Sequence, residues 1–207
     1  MKDLKDIPVY KGVITENDND GLEVDYIALV KNPAIKSNFL TFKEESLSYS
    51  ITNEDEQIIT GLAMVADMPL YRKMEGKGEF FVVYDAPEIA KIAQKFFRKK
   101  YNFNLNLNHD PNYKTDDVYI FESWIVDREK GKFPMKQFED VANGSWLISA
   151  KIESPELWQR VKSGEFLGFS VQGLFGLERM DATVIETELS DEQFDEELIK
   201  LIQAAGL

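Results

Sequence analysis

Short apolar runs, four to ten residues long and separated by turn-forming residues, recur along most of this chain. Runs of that length with β-branched and aromatic residues predict strands rather than helices. They fall at Ile7–Ile14, Val24–Val30, Phe39–Phe42, Ile58–Val65, Glu79–Tyr84, Val118–Val126, Ser145–Ile152 and Phe166–Phe175. Asn17-Asp18-Asn19-Asp20-Gly21 closes the first, and Lys31-Asn32-Pro33 stops the second. Gly61 predicts a bulge or a close backbone approach in the fourth. Phe103 to Asp110 alternates strictly, Phe-Asn-Leu-Asn-Leu-Asn-His-Asp, so period two puts Phe103, Leu105, Leu107 and His109 on one face and Asn104, Asn106 and Asn108 on the other.

Three segments carry the helical period instead. Residues 86–100 place Ile89, Ile92, Ala93, Phe96 and Phe97 on one face, with Pro87 in the first turn and Arg98-Lys99-Lys100 at the end. Residues 155–163 follow a Ser154-Pro155 start and stop before Gly164. Residues 191–205 open on Ser190 and Gln193, a capping-box pattern. Residues 43–56 and 127–143 are polar and turn-prone, and predict a surface loop or linker and a surface excursion. Strands and helices do not alternate regularly, which predicts an α+β fold built on a mainly antiparallel β-barrel or sheet with surrounding helices. The expected organisation is one domain over 1–189, with N-terminal strands at 7–42 and a core at 58–175, followed by an amphipathic helix at 190–207.

Composition narrows the chemistry. The 207 residues contain 24 basic and 37 acidic side chains, a net charge of −13. Such a surface does not suit general binding to nucleic acid or to anionic lipid. No apolar run reaches the roughly 20 residues a bilayer span needs, and Met1 to Asp6 lacks the apolar stretch of a signal peptide, so no membrane role and a cytoplasmic location are expected. There is no cysteine and one histidine. Thiolate catalysis and histidine-rich metal sites are thereby excluded, and neither a metal nor a cofactor is expected. Asp18 and Asp20 faintly resemble a calcium loop, but the later glutamate is missing and a plain turn is the better reading.

What remains is a histidine and a serine. His109 is the one side chain suited to moving protons near neutral pH. Ser170 sits on an apolar strand framed by glycines, Gly168-Phe169-Ser170-Val171-Gln172-Gly173, where a substrate main chain could approach and backbone N–H groups could receive an oxyanion. Ser123, in Phe-Glu-Ser-Trp-Ile, has bulky neighbours and reads as structural. Asp25, Glu122 and Asp110 are the acids that could orient the imidazole, although Asp110 should point away from His109. The segment does not complete Gly-x-Ser-x-Gly, so an α/β-hydrolase elbow is not expected.

Five segments together resemble the capsid maturation (prohead) serine proteases of tailed bacteriophages, whose fold is similar to the herpesvirus assemblin protease. They are Thr60–Arg72, Asn106–Asp110, Glu122–Val126, Gly144–Trp146 and Val161–Gly173, with order and spacing similar to the phage serine protease branch of Gram-positive prophages. The resemblance implies a herpesvirus-protease-like barrel, His109 as general base and Ser170 as nucleophile. It also implies scaffold and major capsid proteins as substrates inside a precursor shell in the host cytoplasm, and it leaves a homo-oligomer open. The oxyanion would meet amides near Gly168, Phe169 and Ser170, or a loop such as that of Gly144, with Gly173 giving further substrate access. The family's acid-bearing strand resembles Val24–Ala34, here near the N-terminus, which implies a circularly permuted order with Asp25 as third member and Glu122 as the alternative. A non-catalytic assembly protein that retains the fold is the competing function.

Overall fold

The computed structural model describes residues 7–33, 49–110, 112 and 117–180. The expected strand at 39–42, the helix at 191–205 and the domain boundary near 189 lie outside those residues. Among the described residues there are eleven strands: β1 (Val9–Val13), β2 (Glu23–Val30), β3 (Tyr49–Asn53), β4 (Ile58–Met64), β5 (Leu70–Met74), β6 (Gly78–Val83), β7 (Leu105–Leu107), β8 (Val118–Ile125), β9 (Trp146–Ile152), β10 (Gly168–Leu174) and β11 (Gly176–Arg179). They are joined by two α-helices, α1 (Ala86–Arg98) and α2 (Pro155–Lys162).

The class is α+β, as expected, but the described strands do not close into one barrel. They form three sheets, ordered β11-β1-β6-β5, β10-β2-β7 and β3-β4-β9-β8. Pairing is antiparallel except β1 with β6 and β2 with β7. Three strands that the residue pattern does not announce, β3, β5 and β11, lie at sheet margins. β3 falls inside the stretch read as a polar loop, because one of its residues, Tyr49, is its only fully buried side chain. The β4–β9 ladder shifts register between Leu62 and Met64, rather than at Gly61.

The helices start where capping chemistry directs. The Asp85 carboxylate accepts the Glu88 N–H at 2.9 Å ahead of α1, and the Ser154 hydroxyl accepts the Leu157 N–H at 3.1 Å ahead of α2. α1 packs Ile89, Ile92 and Phe96 into the core beside Trp146. Lys95 is also buried; its ammonium donates to the Thr15, Asn17 and Leu22 carbonyls and so ties the turn after β1 to the helix.

The three-stranded sheet is the part that matters for chemistry. Register sets Phe169 beside Leu29 and Leu107, and Val171 beside Ile27 and Leu105, on an apolar face turned to the core. Ser170, Ala28 and Asn106 lie side by side on the other face. One residue of slip would bury the serine and expose the phenylalanine, so core packing fixes which face Ser170 occupies.

Candidate active site

β7 ends at Leu107, two residues before the histidine. Asn108 and His109 both have positive φ, 54° and 59°, and the Asp110 N–H donates to the Leu107 carbonyl at 3.0 Å. That is a type I′ turn, a geometry that asparagine accepts readily and histidine less so. A non-glycine residue held there costs roughly 1–2 kcal/mol. Two bonds fix the turn: the Asn108 N–H donates to the Leu29 carbonyl at 2.8 Å, and the Asn108 side chain accepts the Lys31 N–H at 3.0 Å. The strand alternation therefore stops short of His109. Instead of sharing the apolar face of Leu105 and Leu107, its ring meets side chains of the polar face.

There the His109 Nε2 lies 2.9 Å from the Ser170 Oγ. Its Nδ1 lies 3.2 Å from the Gln172 Oε1, which also accepts from the Asn106 Nδ2 at 3.0 Å. An amide oxygen accepts and cannot donate, so Gln172 requires the proton on Nδ1. Nε2 is then left with a lone pair toward the serine hydroxyl, the tautomer a general base needs. Ala28, between Ser170 and Asn106 in register, leaves room over the sheet for Asn106 and Gln172 to meet. The Asn106 Oδ1 is buried without a hydrogen-bond partner.

Neither acid nominated as third member stands at the Nδ1. Asp25 is the extra residue of the bulge in β2, between Val24 opposite Gly173 and Tyr26 opposite Gln172, and the Nδ1 meets the Gln172 amide instead. Glu122 belongs to a different sheet, where it accepts from the Ser149 hydroxyl. Asp110 closes the turn. Ser123 accepts the Trp146 indole N–H at 2.8 Å, as befits a structural hydroxyl. The residue missed in the sequence is Gln172, although its spacing of two from Ser170 already puts it on the same face of one strand.

The expected oxyanion donors also need revision. The Ile27 N–H donates to Asn104 and the Leu29 carbonyl accepts from Asn108, so both residues turn their main chain toward β7. Ala28, between them, turns toward β10 and opposes Ser170, so the Ser170 N–H faces β2. By the same alternation Phe169 and Val171 direct their main-chain groups to the outer edge of β10, where no described strand pairs with them. Gly144 donates its N–H to the Val126 carbonyl at 2.8 Å. Gly173 serves the fold: a Cβ there would sit 2.1 Å from the Glu23 carbonyl oxygen, at the bulge where β10 pairs with β2.

The serine and histidine open onto a pocket of about 280 Å³ whose walls include Met64, Leu70, Arg72, Tyr84 and Phe175. Burial pushes the Tyr84 hydroxyl up to about 12, so it stays neutral. Among the described residues no group of three or more histidine, aspartate or glutamate side chains is placed to hold a metal ion. No described helix is long and apolar enough to cross a membrane.

No curated protein and no solved structure matches the chain. A family model does: residues 48–178 match the family described as putative phage serine protease XkdF, and the matched stretch contains β3 to β10, with His109, Ser170 and Gln172 in it. The chain belongs to that phage serine protease family.

Proposed function

We propose that the protein is a serine endopeptidase that cleaves phage scaffold and major capsid proteins during maturation of the precursor shell, within the host cytoplasm. The observation that carries this reading is the 2.9 Å approach of the His109 Nε2 to the Ser170 Oγ at the wall of an open pocket. His109 takes the hydroxyl proton as Ser170 attacks the scissile carbonyl, then delivers it to the leaving amine; water, activated by the same imidazole, releases the acyl group. Gln172 and Asn106 hold the ring in its tautomer. The Val171 N–H, directed to the outer edge of β10, is the donor for the oxyanion.

One feature favours the competing function. The imidazole is backed by a neutral amide, and among the described residues no carboxylate bonds to it. A non-catalytic assembly protein with this fold would tolerate that arrangement. The test separates the two: the full chain is co-expressed with its scaffold and capsid proteins and treated with a fluorophosphonate probe. Processing and probe labelling in the wild type, both lost in Ser170→Ala, support the peptidase. Identical products from the two chains, with no labelling of either, leave the assembly role.

A further inference from the structure

We propose that the pocket beside Ser170 selects an acidic side chain, glutamate above aspartate, at the substrate position next to the scissile bond, with Arg72 as the residue that recognises it. The inference rests on the peptidase reading and names its substrate class.

Arg72 stands on β5, an edge strand of the four-stranded β11-β1-β6-β5 sheet, and reaches the wall of the pocket that His109 and Ser170 also line. One guanidinium nitrogen, Nη1, donates to the Tyr71 carbonyl at 2.9 Å, which orients the fork. No ion pair engages it among the described residues, where Lys11, Lys31, Lys73, Lys91, Lys95, Arg98, Lys99, Lys130, Arg160 and Lys162 each face a carboxylate. Other described cations, Arg128 and Arg179 among them, also lack an ion pair, but Arg72 is the one whose side chain lines this pocket. Among the described residues the pocket wall contains no aspartate or glutamate that could neutralise it.

The rest of the pocket agrees with a short stem that ends in a carboxylate. Met64, Leu70 and Phe175 supply apolar surface for methylene groups, and Tyr84 adds a neutral phenol. A volume of about 280 Å³ falls below the usual range for small-molecule sites, and suits a single side chain. A guanidinium binds a carboxylate through two parallel N–H bonds, a geometry that a lysine or an amide does not reproduce. The longer stem of glutamate reaches farther along the apolar wall than that of aspartate.

The test uses the full-length protein and a mixture of peptides that vary at each position, with cleavage sites read by mass spectrometry. Wild type is expected to cut at least tenfold more often beside glutamate than beside glutamine. Arg72→Gln should remove that preference, and Arg72→Glu should shift it to lysine and arginine. A second measurement does not depend on turnover: Ser170→Ala protein should bind fluorescent glutamate peptides at least tenfold more tightly than their glutamine counterparts, and Arg72→Gln in that background should abolish the difference. Active enzyme with no acidic preference overturns the specificity and leaves the peptidase reading intact. No cleavage of any peptide, with tight glutamate-selective binding, has the opposite meaning. Preference that vanishes when the peptide C-terminus is amidated assigns Arg72 to a chain-terminal carboxylate and overturns the proposal.

Discussion

Two hydroxyl networks cross this molecule, and they differ in what ends them. In the four-stranded β3-β4-β9-β8 sheet, the Thr52 and Thr60 hydroxyls lie 3.0 Å apart, Thr60 lies 2.9 Å from the Ser149 Oγ, and Ser149 donates to Glu122. Thr60 and Ser149 are buried, and every member finds a partner. In the three-stranded sheet, Ser170, His109, Gln172 and Asn106 form a chain of similar length. Its serine borders a pocket and its histidine is exposed. The first network has serine and carboxylate but no imidazole. The second has serine and base, and an amide in place of the acid. A serine beside a carboxylate is therefore a sheet-stabilising strip here, and reactivity depends on an imidazole and on access to solvent.

The widest separation between the networks should appear on deleting their serines. Ser170→Ala or His109→Ala is expected to lower peptide turnover at least ~10⁴-fold, as loss of a nucleophile or base does in other serine proteases, with an unchanged circular dichroism spectrum. Ser149→Ala should leave turnover within about twofold. If Ser149→Ala silences the enzyme and Ser170→Ala does not, the two networks have been assigned the wrong way round.

Next in size is the role of the amide. Gln172→Leu removes the acceptor at Nδ1 and frees the ring to take the wrong tautomer, for a loss on the order of 10²-fold in kcat. That is smaller than the ~10⁴-fold seen where a charged orienting group is neutralised, because no ionic stabilisation of the imidazolium is lost. Gln172→Glu restores an acceptor and should recover part of the rate. Glu122→Gln should change turnover by less than about twofold. A large loss in Glu122→Gln with full activity in Gln172→Leu would return the third place to the acid.

Much of this arrangement could be read in the residues, and the gaps have physical causes. Apolar runs located β1, β2, β4, β6, β8, β9 and β10, a periodic apolar face with Pro87 located α1, and the Ser154 cap located α2, because each is specified by local burial or local bonding. β5 was not seen: Leu-Tyr-Arg-Lys-Met presents little apolar surface, and its pairing with β6 supplies the order. β11 likewise exists through its pairing with β1. His109 and Ser170 stood out by residue type, yet their meeting needed a turn that strict alternation does not foresee. Asn-His-Asp is a sequence that accepts left-handed backbone, and it could have been read as the end of the strand. Asp25 was favoured by likeness of segment, whereas the group that meets the Nδ1 is the Gln172 amide.

The hydroxyl strip should reveal itself in stability rather than rate. Ser149→Ala takes away the group that joins Thr60 to Glu122 and leaves a buried threonine hydroxyl with one partner fewer. The expected cost is about 1–3 kcal/mol in urea unfolding, since a buried polar group loses its bond without being replaced by apolar packing. Asn106→Leu offers the matching change beside the site. It removes an amide whose Oδ1 already lacks a partner, so its cost in stability should fall below that of Ser149→Ala while its cost in turnover exceeds it.

The smallest effect concerns the carboxylate that holds the turn leading into β10. Glu165 accepts two bonds from Arg160, at 2.8 and 2.9 Å, and lies 3.4 Å from the Lys31 ammonium. The Arg160 guanidinium, foremost, holds its carboxyl down at about 2, against 4.5 for the free group. Because the folded state binds the proton less readily than the unfolded chain, the contribution to stability is complete above pH 4.5 and disappears as pH falls toward 2. The pair is open to solvent and screened, so its contribution is slight and declines with salt. The melting temperature of Glu165→Gln should therefore lie a little below that of wild type at neutral pH, and the two should converge between pH 4.5 and 2. A gap that persists unchanged to pH 2 would mean that Glu165 acts through packing of its stem, and that the turn before Ser170 is held without its charge.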